Sequence, residues 1–352
     1  MDRRDFLKST GSAAAVVGVA STAASGNTNA AAHDFAAPNI ASGTRELTLA
    51  MSALDNGRGS GESARRLARR IESLTSGAYR INIIAGDEVR DADIRHGSAH
   101  DYHETDAAFS YFAGLPGRHG LAATDLDAWM AVGGGQMLWD DISSKHGFKP
   151  FLAGHTGNNP AIWSRQSLAE YKGFQGLRFA SEGLASDVAR GLGAQPVKLA
   201  ASGLTAALAG SHIDAVEGPG AMYAMAAGVH EVAAFALEAP INRHGTAQSI
   251  AIQAGVWNAM PETHQAAIAL ASAEEFRLCQ AEARVHERLS WRVMRGRHNV
   301  TVSQSSVELR DAINRVSDGV VAHVAGSSRH AQRINASYMA FRAMLAPPEA
   351  LV

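Results

Sequence analysis

Three consecutive segments near the start of the chain decide the fold: Arg45-Glu-Leu-Thr-Leu-Ala-Met51, then Ser60–Thr75, then Tyr79-Arg-Ile-Asn-Ile-Ile-Ala85. The first and the third are short, apolar and largely alternating, which is typical of strands. The middle segment repeats apolar residues at the spacing of one helix face. A strand, a helix and a strand in this order predict a βαβ unit with a parallel sheet, and therefore an α/β fold.

Strands and helices continue to alternate after this unit, and the C-terminal third is mostly helical. The segment Glu262–Met294 predicts a helix about 50 Å long at 1.5 Å per residue. Further helices are predicted at Thr124–Val132, Gly135–His146, Ser186–Leu192, Leu204–Ala209, Val307–Ala325 and Arg329–Ala343. Further strands are predicted at Ala107–Tyr111, Lys149–Gly154, Trp163–Arg165, Leu177–Ala180, Gln195–Leu199, Ile213–Glu217 and Asn299–Ser303.

Composition limits the class of protein and its partners. A chain of 352 residues is long enough for about two domains, and its 46% apolar residues indicate a globular protein. The 32 basic and 34 acidic residues nearly cancel, so the charge favours neither nucleic acid nor an anionic membrane as a partner. The single cysteine, Cys279, excludes an intramolecular disulfide and a cysteine-rich metal site, and is predicted to be a buried helical residue.

The N-terminus has the pattern of an export signal. Met1-Asp-Arg-Arg-Asp-Phe-Leu-Lys8 contains paired arginines followed by Phe-Leu-Lys, which is the twin-arginine pattern. A mildly apolar stretch, Ser12–Ser21, and alanine-rich cleavage candidates follow it. We therefore expect a twin-arginine signal peptide over residues 1–32, a flexible tail over 33–44, and a mature protein in the periplasm.

One cluster of histidines and carboxylates could bind a metal. His100, Asp101, His103 and Glu104 lie together in the segment 95–104, and imidazole and carboxylate are zinc ligands. Their order, His-x-x-His-Glu, matches neither helical metalloprotease pattern, so a solvated loop is the preferred interpretation.

Two other stretches end strands with polar groups. Ala153–Trp163 leaves a strand and places two amides in a glycine- and proline-rich bend. Ile213–Gly220 delivers a carboxylate to the end of a strand and then turns. Strand ends are where α/β sheets hold ligands, although a turn with solvated polar groups explains either stretch equally well.

A series of segments carries a family resemblance: Asp127–Asp140, Phe148–Gly157, Gly173–Arg178, Leu192–Val197, Gly210–Glu217 and Trp257–Pro261. Their order resembles the solute-binding proteins of tripartite ATP-independent periplasmic (TRAP) transporters, in the branch that binds 2-oxo and 2-hydroxy carboxylates. The resemblance implies a two-lobed periplasmic binding protein fold with a hinge, an interlobe ligand cleft and a long C-terminal helix through which the chain dimerises. The implied division is 45–155 for the first part of lobe 1, 156–250 for lobe 2, and 251–352 for the return to lobe 1 and the C-terminal helices.

The resemblance also implies a ligand pocket, from which this sequence departs. The family binds the substrate carboxylate with an arginine, and holds a cation with a glutamine, a Glu-Trp pair and a second glutamate. The arginine position falls on Ala180 and the glutamine on Asn159, while Glu217 keeps the first acidic ligand. The tryptophan position is Gly218, and the second glutamate falls on Arg243. Asn159 and Glu217 would bind Na⁺ or Ca²⁺ only if a cation is retained. Arg243 is expected to face the pocket and replace the charge of the cation. The alternative is that Arg243 points outward and the site is degraded.

The sequence thus predicts a non-enzymatic periplasmic receptor that delivers a small organic acid to a TRAP membrane permease. Two alternatives remain open, a periplasmic metal-dependent enzyme using the histidine cluster at 96–104 and an orphan ligand-sensing subunit. The identity of the ligand does not follow from the sequence. The residues expected at the ligand are Tyr111, Asn158, Asn159, Arg178, Ser181, Glu217 and Arg243.

Overall fold

A computed structural model describes residues 43–51, 60–85, 91–157, 161–169, 174–199, 201–218, 220–238 and 241–345. All of these residues belong to one compact unit. The expected signal peptide at 1–32 lies outside the described residues, as does most of the expected tail.

Eleven strands are defined in the described part of the chain. They are β1 (Arg45–Met51), β2 (Tyr79–Ala85), β3 (Ile94–Ser98), β4 (Phe148–His155), β5 (Ala161–Ser164), β6 (Arg178–Ala180), β7 (Gln195–Val197), β8 (Ala215–Gly218), β9 (Phe235–Glu238), β10 (Ala247–Gln253) and β11 (Thr301–Gln304).

Eleven α-helices accompany these strands, again within the described ranges. They are α1 (Ser60–Leu74), α2 (Ala123–Ala131), α3 (Gly135–Ser144), α4 (Leu184–Gly191), α5 (Leu204–Ala209), α6 (Ala221–Ala226), α7 (Val229–Val232), α8 (Ala254–Asn258), α9 (Glu262–Arg297), α10 (Val307–Ser327) and α11 (Arg329–Met344). None of them is long and apolar enough to cross a membrane.

The first sheet, with the helices packed on it, is called lobe 1. Its strand order is β2-β1-β3-β10-β4, with β1 parallel to β2 and β3, and β10 antiparallel to β3 and β4. The predicted βαβ unit is confirmed as β1-α1-β2. Its helix buries Ala64, Leu67 and Ile71 completely against the sheet, which is the apolar face that the sequence spacing indicates.

The second sheet, with its helices, is called lobe 2. Its strand order is β11-β9-β5-β8-β6-β7, and β6 runs parallel to its neighbours β7 and β8. The strand β5 is antiparallel to β8 and β9. Phe174, Phe179 and Val188 are fully buried in one of the clusters that pack against this sheet.

The chain passes between the two sheets twice in its middle section. One crossing joins β4 to β5, and the other joins β9 to β10. Since β10 begins at Ala247, the return to lobe 1 comes earlier than the expected boundary at residue 250. The segment 251–352, expected to hold the return to lobe 1 and the C-terminal helices, also contributes a strand to lobe 2, because β11 at Thr301–Gln304 pairs with β9.

Two long helices connect the lobes a second time. The predicted long helix is confirmed as α9, which has 36 residues. Ile268 in its first third packs in a lobe 1 cluster, and Trp291 and Met294 near its end pack in a lobe 2 cluster. In the same way α10 places Leu309 against lobe 2 and Val321 in the lobe 1 cluster that contains α11.

The predicted strand at 107–111 is wrong. The segment is a 3-10 helix, Ala107–Phe112, and the side chain of Asp106 accepts a hydrogen bond from the Ala108 N–H at its start. Its aromatic residues are fully buried, and the Phe112 ring stacks on Trp129 at 5.5 Å. A short apolar run is compatible with either a strand or a buried helix, and here tertiary packing selects the helix.

Candidate functional site

A cleft lies between the two lobes, with a volume of about 200 Å³. Lobe 1, lobe 2 and both crossings all contribute to its walls. The described lining residues are Ser60, Gly97, Ser98, His100, Asp101 and Gln248 from lobe 1, Thr156, Asn242, Gly245 and Thr246 from the crossings, and Glu182, Ala185, Leu204, Glu217, Gly218 and Tyr223 from lobe 2.

The carboxylates of lobe 2 reach the cleft because of the sheet order. The strands β6 and β8 are parallel neighbours, with Ala180 opposite Val216, so their carboxyl ends meet at one edge of the sheet. Glu217 lies at the end of β8, and Glu182 follows β6 by two residues. Strand ends at such an edge are the usual place for ligands in α/β sheets.

Glu217 is held in position by the crossing between β9 and β10. Its Oε1 accepts a hydrogen bond from the Asn242 N–H at 2.7 Å. Burial raises the pKa of Glu217 to about 7, and the charge of Glu182 adds to this, while backbone N–H groups of Asn242 and Ile241 oppose it. The carboxyl group therefore titrates near neutral pH.

Glu182 is the second carboxylate from lobe 2. Burial raises its pKa to about 7, and the negative charge of Asp101 adds to the effect. The side chain is exposed to the space inside the cleft, but the cleft walls on both sides still limit its contact with bulk water. No hydrogen bond or ion pair joins it to another described residue in the structure.

Asp101 comes from lobe 1 and is placed by a short 3-10 helix, Ala99–Tyr102, that follows β3. Its Oδ2 accepts the Ser98 N–H at 2.9 Å, and the Ser98 hydroxyl accepts the His100 N–H at 3.2 Å, which together form a capping box. A Cβ atom at Gly97 would overlap Asp101 Oδ2, so only glycine allows this arrangement.

His100 lies beside Asp101 and is neutral. Burial lowers its pKa to about 3, and the nearby His103 adds to the effect. The described cleft lining therefore contains three carboxylates, a neutral imidazole, and no lysine or arginine.

The β4–β5 and β9–β10 crossings are joined to each other by hydrogen bonds next to the cleft. The Thr156 N–H donates to the Thr246 carbonyl at 3.0 Å, and the Thr246 N–H donates to Thr156 Oγ1 at 2.9 Å. At Gly245 the backbone φ is +76°, and a Cβ atom there would overlap the carbonyl oxygen of Gly157. The crossings therefore form a tight junction, as expected of a hinge between lobes.

The lobes also contact each other on the far side of the cleft. Gly183 of lobe 2 lies so close to His100 that a side chain at this glycine would overlap His100 Nδ1. Two polar pairs also join the lobes: His103 Nε2 lies 3.4 Å from Asp187 Oδ2 in a half-buried pair, and Lys198 Nζ lies 2.8 Å from Glu104 Oε1 in an exposed one. The structure thus shows the lobes closed over a small cavity.

The expected site residues have different outcomes. The structure places Glu217 in the cleft, while Asn158 and Asn159 lie outside the described residues. Tyr111 is not at the cleft: it is fully buried in the lobe 1 core, and its hydroxyl donates to Asn335 Oδ1 at 2.8 Å. Tyr111 was expected at the ligand because its segment, interpreted as a strand, matches an aromatic, pocket-lining stretch in the family, whereas the 3-10 helix directs the ring into the core.

Ser181, Arg178 and Arg243 were also expected at the ligand, and none of them lines the cleft. Ser181 Oγ contacts Ser186 Oγ at 3.0 Å at the start of α4 and does not line the cleft. Arg178 Nη2 pairs with Asp214 Oδ1 at 2.6 Å on the outer side of the β6–β8 pair, where its side chain is 41% exposed. Arg243 is exposed and absent from the lining, because the inward turn at Asn242 leaves the following residue outside.

Asp101, Glu182 and Asn242 are three polar cleft residues that were not predicted as ligand contacts. Asp101 was considered within the histidine cluster, but the strand β3 before it was missed, and with it the rule that strand ends gather ligands. Glu182 follows the predicted strand Leu177–Ala180 by two residues, which is a local signal for a ligand contact, but the family pattern places the contacts at neighbouring positions. Asn242 has no local signal.

The histidine cluster at 96–104 is not a metal site in the structure, and the expected cation ligand Asn159 lies outside the described residues. His96 is buried in lobe 1, while His103 pairs with Asp187 of lobe 2, so the histidines of this segment have different partners. Across the whole described part of the chain, no group of three His, Cys, Asp or Glu side chains is arranged to hold a metal ion. Cys279 is buried, as predicted, and burial raises its pKa to about 11.

Comparison with known families gives a match over a large part of the chain. Residues 122–325 match the family described as bacterial extracellular solute-binding protein, family 7. A curated relative, the monocarboxylate 2-oxoacid-binding periplasmic protein of Nostoc sp., is 24% identical over 293 residues, which is 79% of each chain.

Solved structures share the fold. A TRAP transporter solute-binding protein from Bordetella bronchiseptica, a mixed-occupancy dimer with copurified calcium and picolinate, has a TM-score of 0.80 and 22% identity, covering 86% of this chain and 92% of its own. A TRAP periplasmic solute-binding protein from Colwellia psychrerythraea, with bound calcium and pyruvate, has a TM-score of 0.79 and 19% identity, covering 86% and 95%.

Proposed function

Because this chain belongs to the bacterial extracellular solute-binding proteins of family 7, we propose that it is the periplasmic solute receptor of a TRAP-type transporter. It captures a small organic acid in the interlobe cleft and delivers it to the membrane permease, without chemical conversion of the ligand. The observation that carries this proposal is a cavity of about 200 Å³ enclosed by both lobes, next to a junction of two crossing segments.

The size and lining of the cavity support a compact polar ligand. Its volume is below the ~300–1,000 Å³ of sites for drug-sized molecules. Picolinate and pyruvate, which are bound by the similar structures, are ligands of this scale. The hydroxyl groups of Ser60, Ser98, Thr156 and Thr246 are available as neutral hydrogen-bond donors to a carboxylate.

The first test is direct identification of the ligand. The protein should be purified from the periplasm of its own host and examined by native mass spectrometry, and any bound compound should then raise the melting temperature of the stripped protein. We expect one small organic acid per chain. Purified protein that carries no small molecule, or that converts the bound compound into a product, would overturn the receptor proposal.

Export by the twin-arginine pathway is part of the proposal. The paired residues Arg3 and Arg4 support it. Exchanging both for lysine should stop accumulation in the periplasm, and normal accumulation of this double variant would contradict the proposed route.

A homodimer formed through α9 is also proposed. Three large apolar side chains of this helix are exposed, Leu270 by 65%, Val285 by 57% and Leu289 by 48%. Such a surface on one helix is commonly buried by a partner subunit. Light scattering at micromolar concentration should give the dimer mass, and a monomer mass would count against this arrangement.

A further inference from the structure

We propose that a groove between α6 and α9 binds one soft monovalent metal ion, Cu⁺, through the thioethers of Met222 and Met225 and the imidazole of His286. The groove belongs to lobe 2, and none of these three residues lines the interlobe cleft. The inference therefore goes beyond the proposed receptor function and does not depend on it.

The groove brings together three donors that suit a soft ion. It has a volume of about 270 Å³, with Met222 and Met225 on the wall from α6 and His286 on the wall from α9. Thioether sulfur selects Cu⁺ among biological metals, and imidazole nitrogen is a common copper ligand. Mg²⁺ and Ca²⁺ take oxygen ligands instead, so this set of donors does not suit them.

The residue after His286 holds the start of α6 against α9. Glu287 Oε1 accepts a hydrogen bond from the Ala221 N–H at 2.6 Å, and Glu287 Oε2 accepts one from the Met222 N–H at 3.0 Å. A Cβ atom at Gly220 would overlap Glu287 Oε1, so the two segments approach closely at this point. Met222 is therefore placed beside the turn of α9 that carries His286.

The spacing of the two methionines lets both sulfurs serve one ion. Met222 and Met225 are three positions apart on α6, so they share one face of the helix and lie about 4.5 Å apart along its axis at 1.5 Å per residue. A methionine side chain is unbranched and has three rotatable bonds, so it adapts to a ligand without movement of the backbone.

The surroundings of the three donors are neutral and partly shielded from water. The remaining described lining residues carry no charge: Ala226, Leu289, Ser290 and Val293. Met222 is only 8% exposed, whereas Met225 and His286 are half-buried, so an ion can enter from solvent. The His286 ring has no hydrogen bond or ion pair to another described residue, which leaves it available to a metal ion.

The single cysteine is the competing ligand for a soft ion, because a thiolate binds Cu⁺ more strongly than a thioether does. Cys279 lies on α9 seven positions before His286 and is 3% exposed. Burial raises its pKa to about 11, so the thiol is protonated at neutral pH and is a poor ligand. A cysteine variant therefore distinguishes the two positions.

The experiment titrates the purified protein with Cu⁺ under ascorbate and without oxygen, in competition with the chromophoric chelator bicinchoninate. We expect one Cu⁺ per chain, and X-ray absorption at the copper edge should show both sulfur and nitrogen ligands. Met225→Leu and His286→Gln should each weaken binding at least tenfold. Ag⁺, a redox-stable soft ion, should bind with the same stoichiometry in native mass spectrometry.

Matched controls remove the same chemical groups elsewhere. Met137→Leu replaces a methionine of α3 that is 73% exposed, and His323→Gln replaces an exposed histidine of α10. Both variants, and Cys279→Ala, should bind Cu⁺ as the wild type does. The ligand spectrum is measured on the wild-type protein, so the test remains decisive if a substitution in the groove prevents folding.

Several results would overturn the inference. A groove that only packs against another protein surface would bind no Cu⁺ in competition with the chelator. Binding that is lost in Cys279→Ala, binding that is unchanged in both Met225→Leu and His286→Gln, or a spectrum without sulfur ligands would place the ion elsewhere. None of these results bears on solute capture in the interlobe cleft, which has its own test.

Discussion

Substitution of one buried carboxylate should test how α9 is tied to lobe 1. Glu275 on α9 is completely buried and accepts bonds from two arginines of α1. Arg66 Nη2 lies 2.7 Å from its Oε1, and Arg70 Nη1 lies 2.9 Å from its Oε2. The variant Glu275→Gln keeps the shape of the side chain but removes the charge, and leaves two guanidinium groups facing a neutral amide.

The expected loss follows from the burial of the group. Removing one partner from a buried ion pair costs about 3–5 kcal/mol, because the remaining charge is left uncompensated. Arg66 and Arg70 are 18% and 24% exposed, and Arg66 keeps a second bond to Glu282, so the lower end of this range applies. For a chain of this size the unfolding entropy is roughly 0.65 kcal/mol/K, so about 3 kcal/mol lowers the melting temperature by about 5 °C.

The measurement is urea unfolding followed by circular dichroism, together with thermal unfolding. The control is Glu274→Gln, which removes the neighbouring but exposed carboxylate that pairs with Arg277 in the same helix. An exposed, solvent-screened pair of this kind contributes little to stability, so the control should resemble the wild type. If Glu275→Gln costs less than about 1 kcal/mol, or no more than the control, the proposed role of this network in holding α1 to α9 is wrong.

Three further predictions concern the cleft and its surroundings. The pKa of Glu217 is raised from 4.5 to about 7, so its contribution to the free energy of unfolding is fully present below pH 4.5 and is lost as the pH rises through 7. Denaturant unfolding of the ligand-free protein across this pH range should show a decrease of about 3 kcal/mol from this group. Glu217→Gln should abolish that part of the pH dependence. Gly245→Ala should cost roughly 2 kcal/mol or more because of its positive φ and the overlap with a backbone oxygen, whereas Gly296→Ala, which meets open space, should leave the melting temperature unchanged or higher. Tyr111→Phe should lower the free energy of unfolding by about 1 kcal/mol, because one hydrogen bond is lost. Equilibrium dialysis should show an unchanged ligand affinity, and a lower affinity would mean that Tyr111 contacts the ligand.

The fold could be predicted to a large extent because its signals are local. The helices α1 and α9 and the strands β1 and β2 appear in the sequence as periodic patterns, and the burial of Cys279 follows from its place on a helix face. Such patterns involve residues only a few positions apart, so they can be recognised without knowing how distant parts of the chain pack. The segment 107–112 is the exception, since an apolar run this short has no clear period and packing decided its conformation.

The candidate site was predicted less well because its charge balance is not local. Glu217 was found from its place at a strand end, but Arg178 and Arg243 were expected at the ligand from their sequence positions. A neighbouring aspartate pairs with Arg178 on the outer side, and the turn at Asn242 puts Arg243 outside. Tertiary packing determines which face of a strand or turn points into the cleft, and the family pattern gives only positions along the sequence.

The sequence by itself determined that this protein is α/β, that a βαβ unit opens it and that a very long helix follows in its C-terminal third. Only the tertiary structure decided that Asp101, Glu182 and Glu217 share one cavity. The physical reason is that these carboxylates lie at or just after the ends of β3, β6 and β8, and the sheet order that places strand ends side by side is set by long-range pairing. Asp101 of lobe 1 shares the cavity with the two carboxylates of lobe 2 through packing between residues far apart in the chain.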